Sequence, residues 1–327
     1  MKKFFVVLLT LCVAFTAFAE GNKEAASAKA AANFPSKGIN VICPWAAGGG
    51  TDAILRAACS TAEKYLGQTL TVENRTGGGG AIGHAAIKDA KDDGYTIGMV
   101  TFELNSLPPQ GLIDFTYADY SPICLLNIDA AAITVNANAP YKTLDEFIAY
   151  CKQNPGKVTI GNSAPGSVWH IAAGLFANQA GIDVKHVAFE GAAPAVTQLA
   201  GGHIDAVAVS VAEVKSQVLA GNLRILGVMD SKRPADFPDV KTFAELGYPV
   251  EYGTWRGMAC PKTTDPSVVA KLEEAFAKVA KDPEFLALAA NLGQAVVYKN
   301  SKDFGSFLAQ NYADTVKTLE ETHLLEN

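Results

Sequence analysis

Val41 to Asp52 reads VICPWAAGGGTD. A β-branched run meets a proline, then three glycines, then Thr51 and Asp52 at the head of a helical pattern. Ile39 to Cys43 is therefore expected as a strand. Thr51 to Leu66 is expected as a helix, with Ile54, Ala58, Ala62, Tyr65 and Leu66 at helical spacing and Gly67 as its C-cap. Gly48, Gly49 and Gly50 allow a tight bend and a close approach of the backbone to a ligand. Thr51 or Asp52 is placed to cap the helix. A strand, a glycine turn and a helix start together form an anion site, because unpaired N–H groups and the positive end of the helix dipole face the turn. The construction recurs at Gly77–Gly83 and at Ser163–Ser167. The repetition points to a small, negatively charged ligand.

Outward from that stretch, strands and helices alternate. Strands are expected at 70–73, 95–102, 122–136, 158–162, 184–189, 204–209, 223–229 and 252–260. Helices are expected after the glycine turns, from Thr143 to Gln153 behind a Thr-x-x-Glu box, over 211–220, and over 266–281, 283–292 and 302–325. Such alternation makes an α/β protein with parallel sheets, whose ligands bind at the carboxyl ends of the strands.

The first residues read as a signal peptide. Lys2 and Lys3 precede an apolar run from Phe4 to Phe18, and Ala17-Phe18-Ala19 is an A-x-A cleavage site. The run of 15 residues is shorter than the roughly 18 that a membrane span needs. Lipidation of Cys12 is the minor alternative, and residues 20–33 read as a flexible tether. Cleavage after Ala19 leaves 308 of the 327 residues, enough for two domains, and moves the formal charge from −6 to −8. No basic run remains for nucleic acid. Cys43, Cys59, Cys124, Cys151 and Cys260 form no C-x-x-C, and an odd number leaves at least one thiol unpaired within the chain. Buried thiols are the simpler reading. The five histidines, His84, His170, His186, His203 and His323, show no zinc-binding spacing, so neither metal nor cofactor is expected.

Two motifs suggest enzymes. Gly78, Gly80 and Gly83 spell G-x-G-x-x-G after an expected strand, with Glu103 twenty residues on, the spacing of a dinucleotide fingerprint. The turn is too glycine-rich to be selective, and the leader sends the chain away from nicotinamide cofactors. Ser167 and His170 share a helix face as a nucleophile and base could, but no G-x-S-x-G elbow surrounds them. Ser167 either caps its helix with His170 packed behind it, or both face the cleft. Asp52 and Asp205 read more readily as structural carboxylates than as ligand contacts. Trp45 reads as core or as an apolar wall of the site, and Arg256 as a cation near the cleft.

Taken in order, several segments resemble the extracytoplasmic solute receptors of tripartite tricarboxylate transporters, the Bug or TctC-like family. They are 44–52, Val72–Gly83, Asp93–Thr96, Pro155–Lys157, Gly166–His170, Glu190–Ala195 and Gly201–Asp205. The resemblance implies a two-domain periplasmic binding protein of type II, a Venus flytrap hinged on crossing strands. It implies a cleft for a small carboxylate, no chemistry, and delivery to a membrane permease. The ligand is expected among di- or tricarboxylates, amino acids and aromatic acids, held largely by backbone amides and hydroxyls. The domains are expected at 34–127 with 252–327, and at 128–251. The expected contacts are Trp45, Ala47, Gly49, Gly50, Thr51, Asp52, Thr101, Glu103, Ser163, Ser167, His170, Glu190, Gly191, Ala192 and Arg256. Glu103 stands where the family commonly has a small or neutral residue, and Arg256 where a phenylalanine is common. Either Glu103 pairs with Arg256, or Glu103 reads a cationic group on the ligand.

Overall fold

The computed structural model describes residues 33–321. The expected leader, the Cys12 lipidation site, the end of the last expected helix and nearly all of the tether lie outside the described residues. Ten strands form one continuous curled sheet in the order β2-β1-β3-β9-β4-β7-β5-β6, with β8 and β10 also paired to β4. The strands are β1 (Ile39–Cys43), β2 (Leu70–Asn74), β3 (Thr96–Thr101), β4 (Tyr120–Asn136), β5 (Thr159–Asn162), β6 (Lys185–Ala188), β7 (Ala206–Ser210), β8 (Leu223–Val228), β9 (Gly253–Pro261) and β10 (Val296–Lys299).

The lateral strands are parallel, as the alternation predicts: β1 with β2 and β3, and β5 with β6 and β7. The centre is antiparallel. β9 runs against β3, and β4 runs against β9, β7 and β8. The 17 residues of β4 explain the difference. Its first part, through Ala130, pairs with β9, and its last part, from Ala131, pairs with β7 and β8. One long strand thus belongs to both lobes, and β9 returns beside it. The sequence does not announce β10, whose ladder to β4 is short and irregular.

The helices are α1 (Gly50–Leu66), α2 (Ala81–Lys88), α3 (Glu103–Ser106), α4 (Leu144–Gln153), α5 (Val168–Ala180), α6 (Ala192–Ala200), α7 (Val211–Leu219), α8 (Pro266–Val279), α9 (Pro283–Leu292) and α10 (Ser301–Glu321). One face of the first sheet half buries Val41, Ile54, Leu55, Ala58, Leu272 and Phe276 between β1, α1 and α8. The other core joins Phe102 and Trp255 to Phe147, Phe176 and Val209 of the second lobe. At about 25 cal/mol per Å² of apolar surface removed from water, each buried valine, leucine, isoleucine or phenylalanine among them contributes about 1.5–3 kcal/mol. All five described cysteines are free and buried, and burial pushes the Cys43 thiol up to about 12, so it acts as a small apolar group. Among the described residues no helix is long and apolar enough to cross a membrane.

Candidate functional site: a cleft closed on helix starts

After β1 the chain turns through Pro44–Gly49 and enters α1 at Gly50. Neither Thr51 nor Asp52 is the cap. Gly49 holds that position with extended backbone and no side-chain cap. Asp52 instead ties the turn from inside. Its carboxylate accepts from the Gly48 N–H at 2.9 Å, Arg56 Nε at 2.9 Å and Asn74 Nδ2 at 2.8 Å. Burial opposes ionisation there, but those hydrogen bonds outweigh it and hold the carboxyl below its usual range. With its oxygens so committed, Asp52 does not line the cleft cavity.

That cavity lies between the lobes. Trp45, Ala46, Gly49, Gly50, Thr51 and Glu103 line it from one side, and Ser163, Val168, Trp169, Gly191, Ala192 and Glu213 from the other, with Thr254 and Arg256 of β9 between. The starts of α1, α5 and α6 all reach it, and the first N–H groups of a helix have no partner within the helix. Gly191, the N-cap of α6, has φ of 143°, a conformation that side chains disfavour. The enclosed volume is about 20 Å³, room for little more than one water-sized group. Outside it a wider cavity of about 600 Å³ is lined by Gly78, Gly79, Ala81 and Leu112 on one side, and by Ala164, Pro165, Phe189, Glu190 and Pro194 on the other. The inner cavity with this outer one forms a cleft closed over its deepest part.

Arg256 sits at the floor with 1% of its surface exposed. Its Nε donates to Thr51 Oγ1 at 2.9 Å, and Nη1 donates to Asn127 Oδ1 at 2.5 Å and to Asp129 Oδ2 at 2.6 Å. Its Nη2 lies 3.6 Å from Glu213 Oε1. The expected direct pair of Glu103 with Arg256 is not formed. The guanidinium is already taken by Asp129 and faces Glu213, whereas Glu103 accepts from the Thr101 hydroxyl and, at 3.1 Å, from the Val168 N–H. Glu103 begins the four-residue α3 rather than lying in a loop, and its carboxylate occupies the start of α5 across the cleft. Burial pushes the carboxyls of both Glu103 and Glu213 above their usual range, with Arg256 acting in the opposite direction.

The remaining expected contacts divide. Trp45, Gly49, Gly50, Thr51, Ser163, Gly191 and Ala192 line the inner cavity, and Glu190 lines the outer one. Ala47 is exposed on the turn, and its neighbour Ala46 lines the cavity instead. Thr101 stands behind the wall, accepting from Trp45 Nε1 at 3.2 Å and donating to Glu103, so it positions both. Ser167 is fully buried as the N-cap of α5. Its hydroxyl donates to the Ala164 carbonyl at 2.8 Å and accepts from Ser163 Oγ at 2.9 Å and from the His170 N–H at 3.4 Å. His170 packs edge-on against His186 with ring centres 4.6 Å apart, and its Nδ1 accepts from the Gly166 N–H at 3.1 Å. Burial, then His186, depresses its pKa to about 4. The cap and the imidazole are thus committed to the α5 entry, and no nucleophile–base hydrogen bond joins them. The dinucleotide reading fails on topology, since β1 separates β2, which the glycine turn follows, from β3, which leads to Glu103, and that fold needs the two strands side by side.

Sequence reasoning missed Val168, Trp169, Glu213 and Thr254 in the wall, and Asn127, Asp129 and Gln294 around Arg256. One signal was available. Ser210-Val-Ala-Glu213 is a capping box in sequence, and both reciprocal bonds are present in the structure.

The sequence profile described as "Tripartite tricarboxylate transporter family receptor" matches residues 54–324. A UPF0065 protein in the gbd 5' region of Cupriavidus necator is 33% identical over 89% of each chain. Protein BugT of Bordetella pertussis is 30% identical over 88% of this chain and 90% of its own. A solved structure described as a periplasmic transporter superposes with a TM-score of 0.85 at 32% identity, covering 89% of this chain and 99% of that one. The two-lobed α/β architecture is that of the periplasmic solute-binding proteins, and the chain belongs to the receptor family of the tripartite tricarboxylate transporters.

Proposed function

We propose that this protein is an exported receptor that closes on a small organic carboxylate and delivers it to the membrane permease of a tripartite tricarboxylate transporter. The observation that carries the reading is the inner cavity, walled by the starts of α1 and α6 from opposite sides. Helix starts bind anions without a resident cofactor. The lobes of this reading are 34–127 with 252–327, and 128–251. The ligand contacts are the backbone at Gly49, Gly50, Gly191 and Ala192, the hydroxyls of Thr51 and Ser163, and the Trp45 ring. Export through the N-terminal leader, cleaved near Ala19, places the receptor in the periplasm or its extracytoplasmic equivalent. Neither a nucleophile–base pair nor a dinucleotide strand order supports turnover, and the receptor role needs none.

A ligand gripped by both lobes stabilises the closed chain. At 100 times Kd the linkage is about 2.7 kcal/mol, a clear rise in the thermal midpoint. Thermal unfolding against di- and tricarboxylates, amino acids and aromatic acids is expected to show such a rise for at least one acid. A rise with nicotinamide cofactors, and none with any acid, overturns the reading.

A further inference from the structure

Three carboxylates, Glu103, Asp129 and Glu213, stand in or against the inner cavity with one guanidinium among them, Arg256. Asp129 is that guanidinium's close partner at 2.6 Å. Glu213 places Oε2 on the Ser210 N–H and hydroxyl, at 3.0 and 3.2 Å. Its Oε1 has only Arg256 Nη2 at 3.6 Å, beyond hydrogen-bond range, although the side chain is 5% exposed. Glu103, 1% exposed, makes no ion pair among the described residues. The Tyr252 hydroxyl, buried within reach of the Glu103 charge, has no partner either.

Three carboxylates therefore share one guanidinium: Asp129 pairs with it closely, Glu213 at the longer 3.6 Å, and Glu103 has no ion pair among the described residues. Buried carboxylates acquire a proton or a cation. Glu103 also occupies the start of α5, where an anionic ligand group would otherwise find N–H donors. That leaves the starts of α1 and α6 for an anion, with two carboxylates facing the same small space. A dianion brings its second negative charge towards Glu103 and Glu213, whereas a zwitterion brings an ammonium.

We propose that the ligand is a small amino acid, its carboxylate held at the starts of α1 and α6 and its ammonium held by Glu103 and Glu213. The inference rests on the cleft being the ligand site. Titration calorimetry of the wild-type chain with the twenty common amino acids, with each corresponding acid lacking the amine, and with succinate tests it. The best-bound amino acid is expected to bind at least tenfold tighter than its amine-free counterpart and than succinate. Glu213→Gln keeps the capping geometry and is expected to cut that preference at least tenfold. If the variant does not fold, the wild-type ratio decides alone. Amine-free acids or succinate binding as tightly as the amino acids overturn the inference and leave the receptor reading standing. Silence from every acid of both kinds contradicts the receptor reading, and the inference with it.

Discussion

Arg256 is the residue on which the cleft floor depends. It holds Thr51, Asn127 and Asp129 directly and lends its charge to Glu213. Removing one partner of a buried charge cluster leaves the others uncompensated, at about 3–5 kcal/mol. Arg256→Phe is expected to lose that much stability at pH 7, because Asp129 and Glu213 stay buried with no cation. The loss is expected to shrink at pH 5. A buried carboxyl raised above its usual range, such as Glu213, binds more protons folded than unfolded between the two pKa values, so its contribution to stability falls as pH rises through that window. Without Arg256 the window widens upward. Urea unfolding at both pH values checks this, and an equal deficit at each would sink it. Gly50 gives a second test. A Cβ there would lie 2.9 Å from Glu213 Oε1 and 3.0 Å from both Arg256 Nη2 and Gln294 Nε2. Gly50→Ala is expected to lower the thermal midpoint, because the buried Glu213, Arg256 and Gln294 side chains must shift to admit the methyl, and to weaken the ligand at least tenfold in calorimetry. At this scale the glycine turn and Arg256 were legible in the chain. Asp129 and Glu213 were not, because they reach Arg256 only after β4, β9 and α7 are brought together from more than forty residues apart in sequence.

The helix starts were the most readable elements. Thr143 accepts from the Glu146 N–H at 3.2 Å, as its box predicts, and the turn before α5 lies where its Ser-Ala-Pro-Gly-Ser run puts it. What a capping hydroxyl does beyond capping is decided by packing. Ser163 and Ser167 are four residues apart, yet only Ser163 reaches the cavity. Ser167→Ala is therefore expected to cost about 1 kcal/mol of stability, an ordinary cap loss, with ligand affinity held within about threefold. A tenfold loss of affinity at unchanged stability, from paired denaturation and calorimetry, would return Ser167 to the site. The short α3 and the irregular β10 escaped the sequence for one reason. Each is fixed by its neighbours, α3 by α10 and β10 by β4, and neither carries a period of its own.

For the molecule as a whole, alternation gave the α/β class and the parallel flanks, and the antiparallel centre follows from β4 and β9 crossing between the lobes. Those two strands carry the hinge, while the cavity walls come from segments on either side of it. Across the cleft Glu103 lies on the start of α5, and Gly191 lies against Ala46 with 3.6 Å between the Cβ that glycine lacks and the alanine methyl. Whether the cleft holds a small acid is read by native mass spectrometry of the gently purified full chain, before and after incubation with the acid panel. A population heavier by one small acid is expected, lost on denaturation and restored by incubation with that acid. A chain that stays at its bare mass with every acid, while Arg256 and its partners remain folded, would contradict the receptor reading.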